Sequence, residues 1–198
     1  MIKQASPLAF PLFLKLEGKK VLVAGGDDIA QSKIPALLNA GATVIAIDDP
    51  MTISLEHPNL TLIKRKFRPS DLEGIWYVVA ASSPATNAEI ANEANKRQLF
   101  VNAVDDKPNA SAYLGSIIER DGYTVAISSS GQSPAVTKLL RQGLEWFLPT
   151  DLSLWTSMAK SLRLKWTQSQ TPHPERVPEL LQSLNDHYDQ QSIQEKAS

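Results

Sequence analysis

The residues best placed to do chemistry surround a glycine turn. Val21-Leu-Val-Ala24 is a short apolar run ending in Gly25-Gly26, as a buried parallel strand does on entering a tight turn. Ile29, Ile34, Leu37 and Leu38 then recur at helical spacing over 29–40, with Pro35 early in that helix and Gly41 where a stop belongs. A second apolar run, 43–47, ends at Asp48-Asp49-Pro50. Strand, glycine turn, helix and a second strand ending in an acid form the arrangement that binds a dinucleotide. The helix start offers N–H groups and a positive dipole end to a pyrophosphate. An acid about 20 residues further on holds the ribose hydroxyls. Asp48 and Asp49 stand there, and an acid at that place repels a 2′-phosphate, which favours NAD over NADP. Against the G-x-G-x-x-G/A template, Gly25 and Ala30 fit, but Asp27 takes the middle position, where the backbone approaches the phosphates. An ordinary strand–turn–helix corner is the competing reading of the same residues.

The elements that must position this turn follow from periodicity. Residues 60–63, 76–80 and 100–104 read as further strands and 85–97 as a helix, so strands alternate with helices as in a parallel sheet covered on both faces. Beyond Asp105 the texture changes. Residues 124–127 read as another strand, followed by the polar loop Ser128-Ser-Ser-Gly-Gln-Ser-Pro134 and a helix over 135–147. Residues 152–166 carry a helical pattern, Thr171-Pro-His-Pro174 breaks it, and 177–188 make one more helix before a polar tail expected to fray. Trp146, Trp155 and Trp166 sit among leucines at helical spacing and read as core or dimer interface.

Composition narrows the function classes. The 198 residues suffice for one ordinary domain and a smaller appendage, with 42% hydrophobic content and a net charge of −1. No global field draws the chain to nucleic acid or membrane. No run approaches a membrane span, and the first residues lack a signal peptide, so a cytoplasmic location is expected. The absence of cysteine removes disulfides, thiolate nucleophiles and cysteine metal sites. His57, His173 and His187 show no metal-ligand spacing, and no metal site is expected. The run Lys64-Arg-Lys-Phe-Arg68 reads as a solvated face, and Asp105 by itself reads as a turn cap before Pro108.

The order of segments adds a resemblance. Pro11-Leu-Phe-Leu-Lys-Leu-Glu-Gly-Lys-Lys-Val-Leu-Val23 is followed by Gly25-Gly-Asp-Asp-Ile-Ala30 through Lys33, then by Leu37-Leu-Asn-Ala-Gly-Ala42. Ala80-Ala81 with Asn87, Val101-Asn-Ala-Val-Asp-Asp106, Val125-Ala-Ile-Ser-Ser129, Gly131-Gln-Ser-Pro134, Leu140-Arg141 and Leu144-Glu145 complete the set. This ordered combination, over about residues 7–149, resembles the precorrin-2 dehydrogenase family, which includes the amino-terminal half of siroheme synthase and bifunctional dehydrogenase–ferrochelatases. Three positions depart from it: Asp27 for a glycine, Ser32 before Lys33 for an arginine, and Ser130 for the first glycine of a Gly-Gly pair.

The resemblance implies an α/β fold. It consists of a Rossmann-type parallel-sheet domain over 1–112, a dimerisation segment over 113–149 and a small helical carboxy-terminal domain over 150–198. It implies NAD-dependent oxidation of precorrin-2 to sirohydrochlorin in siroheme synthesis, in some members with ferrous iron insertion. It implies a homodimer, and 198 residues leave no room for the methyltransferase module that some siroheme synthases append. NAD contacts fall on Gly25, Gly26, Asp28, Ile29, Asp48, Asp49, Pro50 and Ala81. Asp105 becomes the catalytic acid–base, with Asp106 as its coupled neighbour. Carboxylates on the tetrapyrrole call for cations and hydrogen-bond donors, for which Ser128, Ser129, Lys138 and Arg141 are the candidates, with Lys107 and Arg120 in reserve. Asp27 supports a second reading, a non-catalytic relative that holds the tetrapyrrole or a nucleotide.

Overall fold

The computed structural model describes residues 9–130 and 132–197, with side chains described as far as residue 191. Two compact units divide these residues. The first holds everything up to Gly115 together with Ser128–Pro134, and the second holds Ser116–Ile127 and the residues from Ala135 onward.

The first unit is built on β1 (Lys20–Ala24), β2 (Thr43–Asp48), β3 (Leu60–Lys64), β4 (Tyr77–Ala80) and β5 (Phe100–Ala103). All neighbours pair in parallel, in the order β3-β2-β1-β4-β5. Alternate residues of the central strands are buried on opposite faces. Val21, Val23, Val44 and Val79 pack with Ala30, Ile34 and Leu37 on one side. Leu22, Val78, Ala80 and Val101 pack with Ile90 and Ala94 on the other. Each fully buried Val or Leu supplies roughly 1.5–3 kcal/mol, and burial on both faces explains the near-continuous apolar runs of the central strands.

The helix expected over 29–40 is two helices, α1 (Asp28–Gln31) and α2 (Ile34–Asn39). Pro35 is the cause. It has no N–H to give the Gln31 carbonyl, so the hydrogen-bond ladder breaks there and the helix restarts at Ile34 with the proline in its first turn. On the other face lies α3 (Pro84–Lys96), whose Ser83 cap accepts from the Thr86 N–H at 3.2 Å, with Pro84 in the first turn. The order of strands reverses between β1 and β4, and a crevice opens above their carboxyl ends, where doubly wound sheets hold ligands.

The second unit contains β6 (Ser116–Arg120) paired antiparallel with β7 (Tyr123–Ile127), then α4 (Pro134–Phe147), α5 (Leu152–Gln168) and α6 (His173–Ala197). The strand over 116–120 escapes the periodicity reading, and its partner lies in a hairpin outside the parallel sheet. Arg120 closes the carboxyl end of α4, donating to the carbonyls of Leu148 at 2.5 Å and of Glu145 and Pro149 at 3.3 Å each. Two tryptophans tie the last helices together. Trp155 Nε1 donates to Tyr188 Oη at 2.8 Å, which donates to Asp151 at 2.6 Å, and Trp166 Nε1 donates to Glu179 at 2.6 Å. The last helix begins at His173 and runs to Ala197, so the tail expected to fray is helical. No helix among the described residues is long and apolar enough to cross a membrane.

Candidate functional site

The glycine turn is shaped by what touches it. Gly25 has φ 148°, and a Cβ there would collide with the Ala81 carbonyl at the end of β4. A Cβ on Gly26 would come within 2.6 Å of the Pro50 carbonyl oxygen and 2.9 Å of Asp48 Cβ. The turn is thus locked between the ends of β4 and β2, and only glycine fits at either position. Thr52 fastens the second contact, its N–H reaching the Gly26 carbonyl at 2.9 Å and its hydroxyl the same oxygen at 2.5 Å.

Asp27 solves its own placement. Its backbone is extended, and its carboxylate folds back to accept the Ala30 N–H at 3.0 Å, capping α1. The carboxylate, a like charge to any phosphate at the turn, is therefore spent on one of the orphan donors of the helix start. The N–H groups of Asp28 and Ile29 have no acceptor among the described residues. These two donors remain for an anionic group.

A cavity of about 560 Å³ opens beside the turn. Asp27 and Ile29 line it from the turn, Ala81 and Ser82 from the end of β4, and Asn87 from the first turns of α3. The residues after β5 close it, with Asp105, Asp106 and Asn109 on its wall. Asp105 is exposed and stands at φ 55°, a left-handed conformation that turns the chain sharply at the strand end. Its carboxylate has no hydrogen bond or ion pair with any described residue. The two acids differ here. Asp106, at the start of the short turn Lys107–Asn109, takes the Asn109 amide at 2.8 Å. Asp106, and not Asp105, is thus the acid whose side chain is tied into the turn.

At the end of β2, Asp48 accepts the Asp49 N–H at 2.8 Å, while Asp49 and Pro50 are exposed. Asp48 and Pro50 lie beside Gly26, and none of the three is in the cavity wall. The ladder also sets Lys64 of β3 directly opposite Asp48, so a cation from the basic run flanks the acid. Within that run Arg65 is engaged in a two-pronged pair with Asp71, at 2.6 and 2.8 Å. The arginine holds the Asp71 carboxyl below the usual carboxylate range, against the opposing effect of burial.

Ser128 and Ser129 belong to the loop segment that clusters with the first unit, and neither lines the cavity. Ser128 Oγ accepts the Ser130 N–H and Ser129 Oγ the Ser133 N–H, both at 3.1 Å. Lys138 and Arg141 lie on α4 in the second unit, with Arg141 paired to Glu145 at 2.6 Å. Arg120 is committed to the end of α4 and Lys107 is exposed after β5. Among the described residues no three of His, Cys, Asp and Glu gather in metal-binding geometry. Asn87 is the site residue that sequence reasoning left without a role. Its signal was its place four residues after the Ser83 cap, which aims a first-turn side chain back at the strand end.

Known proteins share this architecture. Residues 12–116 match the family described as "Putative NAD(P)-binding". The chain is 38% identical over 158 residues to Siroheme synthase 1 of Pectobacterium atrosepticum, covering 77% of this chain and 33% of that protein. It is 39% identical to Siroheme synthase 1 of Cronobacter sakazakii, with 77% and 34% covered, and 34% identical to Siroheme synthase of Photorhabdus laumondii, with 84% and 36% covered. The chain spans about a third of the length of these curated relatives. Among solved structures, the protein described as SirC, precorrin-2 dehydrogenase, superposes with TM-score 0.68 at 24% identity, covering 90% of this chain and 91% of that one. That likeness establishes the Rossmann-type fold and its helical carboxy-terminal part. With more than half its length matched, and with a glycine turn, an acid-ended second strand and a crevice at the point of strand reversal, the chain belongs to this NAD(P)-binding family.

Proposed function

We propose that the chain is an NAD-dependent dehydrogenase that oxidises precorrin-2 to sirohydrochlorin. The observation that carries this reading is the Asp105 carboxylate, without a partner among the described residues, on the wall of a cavity that begins at the glycine turn. The names of the relatives, siroheme synthase and precorrin-2 dehydrogenase, supply the substrate class. The bound dinucleotide accepts a hydride. The remaining work belongs to the chain. Asp28 and Ile29 offer N–H groups to the diphosphate, with Gly25 and Gly26 keeping the turn flat and Ala81 bounding it. Asp48 and Asp49 take the adenosine ribose, with Pro50 closing the loop behind them. Asp105 accepts the proton that leaves the macrocycle with the hydride, so two hydrogens depart and both are accounted for. The substrate's carboxylates meet Ser128, Ser129, Lys138 and Arg141.

The assembly is a homodimer in this reading. Val136, Leu139, Leu140, Leu144 and Phe147 form one exposed stripe along α4, and Trp146 is 90% exposed. Apolar surface of that kind marks an association face, and a second copy presents the same stripe in return. The location is the cytoplasm.

Purified chain, precorrin-2 and NAD, followed by NADH absorbance, test the activity. Turnover is expected in the wild type, with a loss of at least about 100-fold in Asp105→Asn. Absence of NADH formation by wild-type protein that binds both ligands would favour a non-catalytic binding protein.

A further inference from the structure

Asn87 carries a second polar function in the cavity. It is 3% exposed, yet only one of its amide atoms is used among the described residues. The Ser82 backbone N–H lies 3.0 Å from that atom, and because a backbone N–H can only donate, the atom is the side-chain oxygen. The amide orientation is thereby fixed. Nδ2 donates to no group among the described residues, and no buried side-chain nitrogen or oxygen among them is shut away from both partner and solvent. The NH₂ group of a buried side chain must then be open to the cavity that Asn87 lines. A donor fixed in direction by its own amide oxygen and opening into a cavity is set to be completed by a ligand acceptor there.

The position of the cavity selects the ligand atom. Its walls come from the ends of β1, β4 and β5, and β2 and β3 contribute none of the lining. In a doubly wound sheet the adenosine half lies over the second strand, so this cavity serves the other half of the dinucleotide. We propose that Asn87 Nδ2 donates a hydrogen bond to an oxygen of the nicotinamide-side half of the cofactor, its ribose or its carboxamide, making Asn87 a cofactor-binding residue. This rests on the dinucleotide reading above and assigns the donor for one half of it.

Asn87→Asp isolates the donor. Aspartate keeps an oxygen for the Ser82 N–H but turns the cavity-facing group from a donor into a negatively charged acceptor. Calorimetric titration with NAD and, separately, with ADP reads the two halves. The expected result is an NAD Kd raised at least about tenfold with the ADP Kd unchanged within about twofold, and a thermal midpoint within a few degrees of wild type. An NAD Kd unchanged within twofold overturns the inference. Equal weakening of NAD and ADP also overturns it, because the donor would then serve the adenosine half. Should the aspartate variant unfold, Asn87→Ser, whose hydroxyl can still accept the Ser82 N–H, is judged by the same thresholds. If wild-type protein binds ADP but not NAD, the donor assignment falls. If it binds neither, the dinucleotide reading itself fails and takes this inference with it.

Discussion

Asp105 and Asp106 are adjacent in sequence and differ in what they can do. Asp106 is tied to Asn109, whereas Asp105 lines the cavity on left-handed backbone with no partner among the described residues. Asp105→Asn should therefore abolish proton acceptance while leaving NAD affinity within about threefold, since no dinucleotide contact is assigned to it. Asp106→Asn should keep most of the turnover. If the NADH assay shows the opposite ranking, the proton acceptor is misassigned. Ser130 offers a stability test at the same scale. It stands at φ 50°, where a side chain is strained, in the place where the resembling family carries glycine. Ser130→Gly should raise stability by about 0.5–1 kcal/mol in urea unfolding, the relief of strain outweighing the added chain entropy. The conformation of Asp27 was not legible beforehand. Its type warned of repulsion, but whether a carboxylate points at a ligand or folds onto its own helix start depends on backbone angles that composition does not reveal.

Among the elements, the parallel sheet was legible because burial on both faces writes unbroken apolar runs such as Val21–Ala24 and 43–47 into the sequence. The split between α1 and α2 is written in Pro35 but masked by an apolar stripe that continues across it. The hairpin went unread, although its turn was written in the sequence. Asp121-Gly122 is a two-residue turn signal, and both residues have positive φ, at 50° and 81°. The adjacent Ile117-Ile118 breaks the alternation a strand usually shows, and only Ile118 is buried. Edge chemistry gives a pH test. Arg65 lowers the Asp71 pKa, so in the folded protein the carboxyl stays ionised to lower pH than in the unfolded chain. The pair's contribution is complete above the unfolded value, about pH 4, and is lost as pH falls through the lower folded value. Asp71→Asn should cost about 2–5 °C of thermal midpoint at neutral pH. The gap to wild type should close on acidification below about pH 4, and a gap independent of pH would show that the pair is not its source.

For the whole molecule, the unresolved element of the sequence reading was the fate of its apolar surface. Trp155 and Trp166 hydrogen-bond inside the second unit, while Trp146 and the α4 stripe are exposed on its surface. Sedimentation should give twice the mass of one chain, and Trp146→Glu with Leu139→Glu should shift the population to single chains. A monomer at micromolar concentration in the wild type would remove the dimer.

All of this depends on a dinucleotide seating itself at a helix start that an aspartate already caps. Calorimetric titration of NAD into wild type and Asp27→Gly reads that directly. Wild type should bind one NAD per chain with saturation, and the glycine variant should bind about three- to tenfold tighter, because an anionic competitor has left the turn. The same variant should lose only a few tenths to about 1 kcal/mol of stability with its cap. No saturable heat in either protein at millimolar NAD would contradict the account.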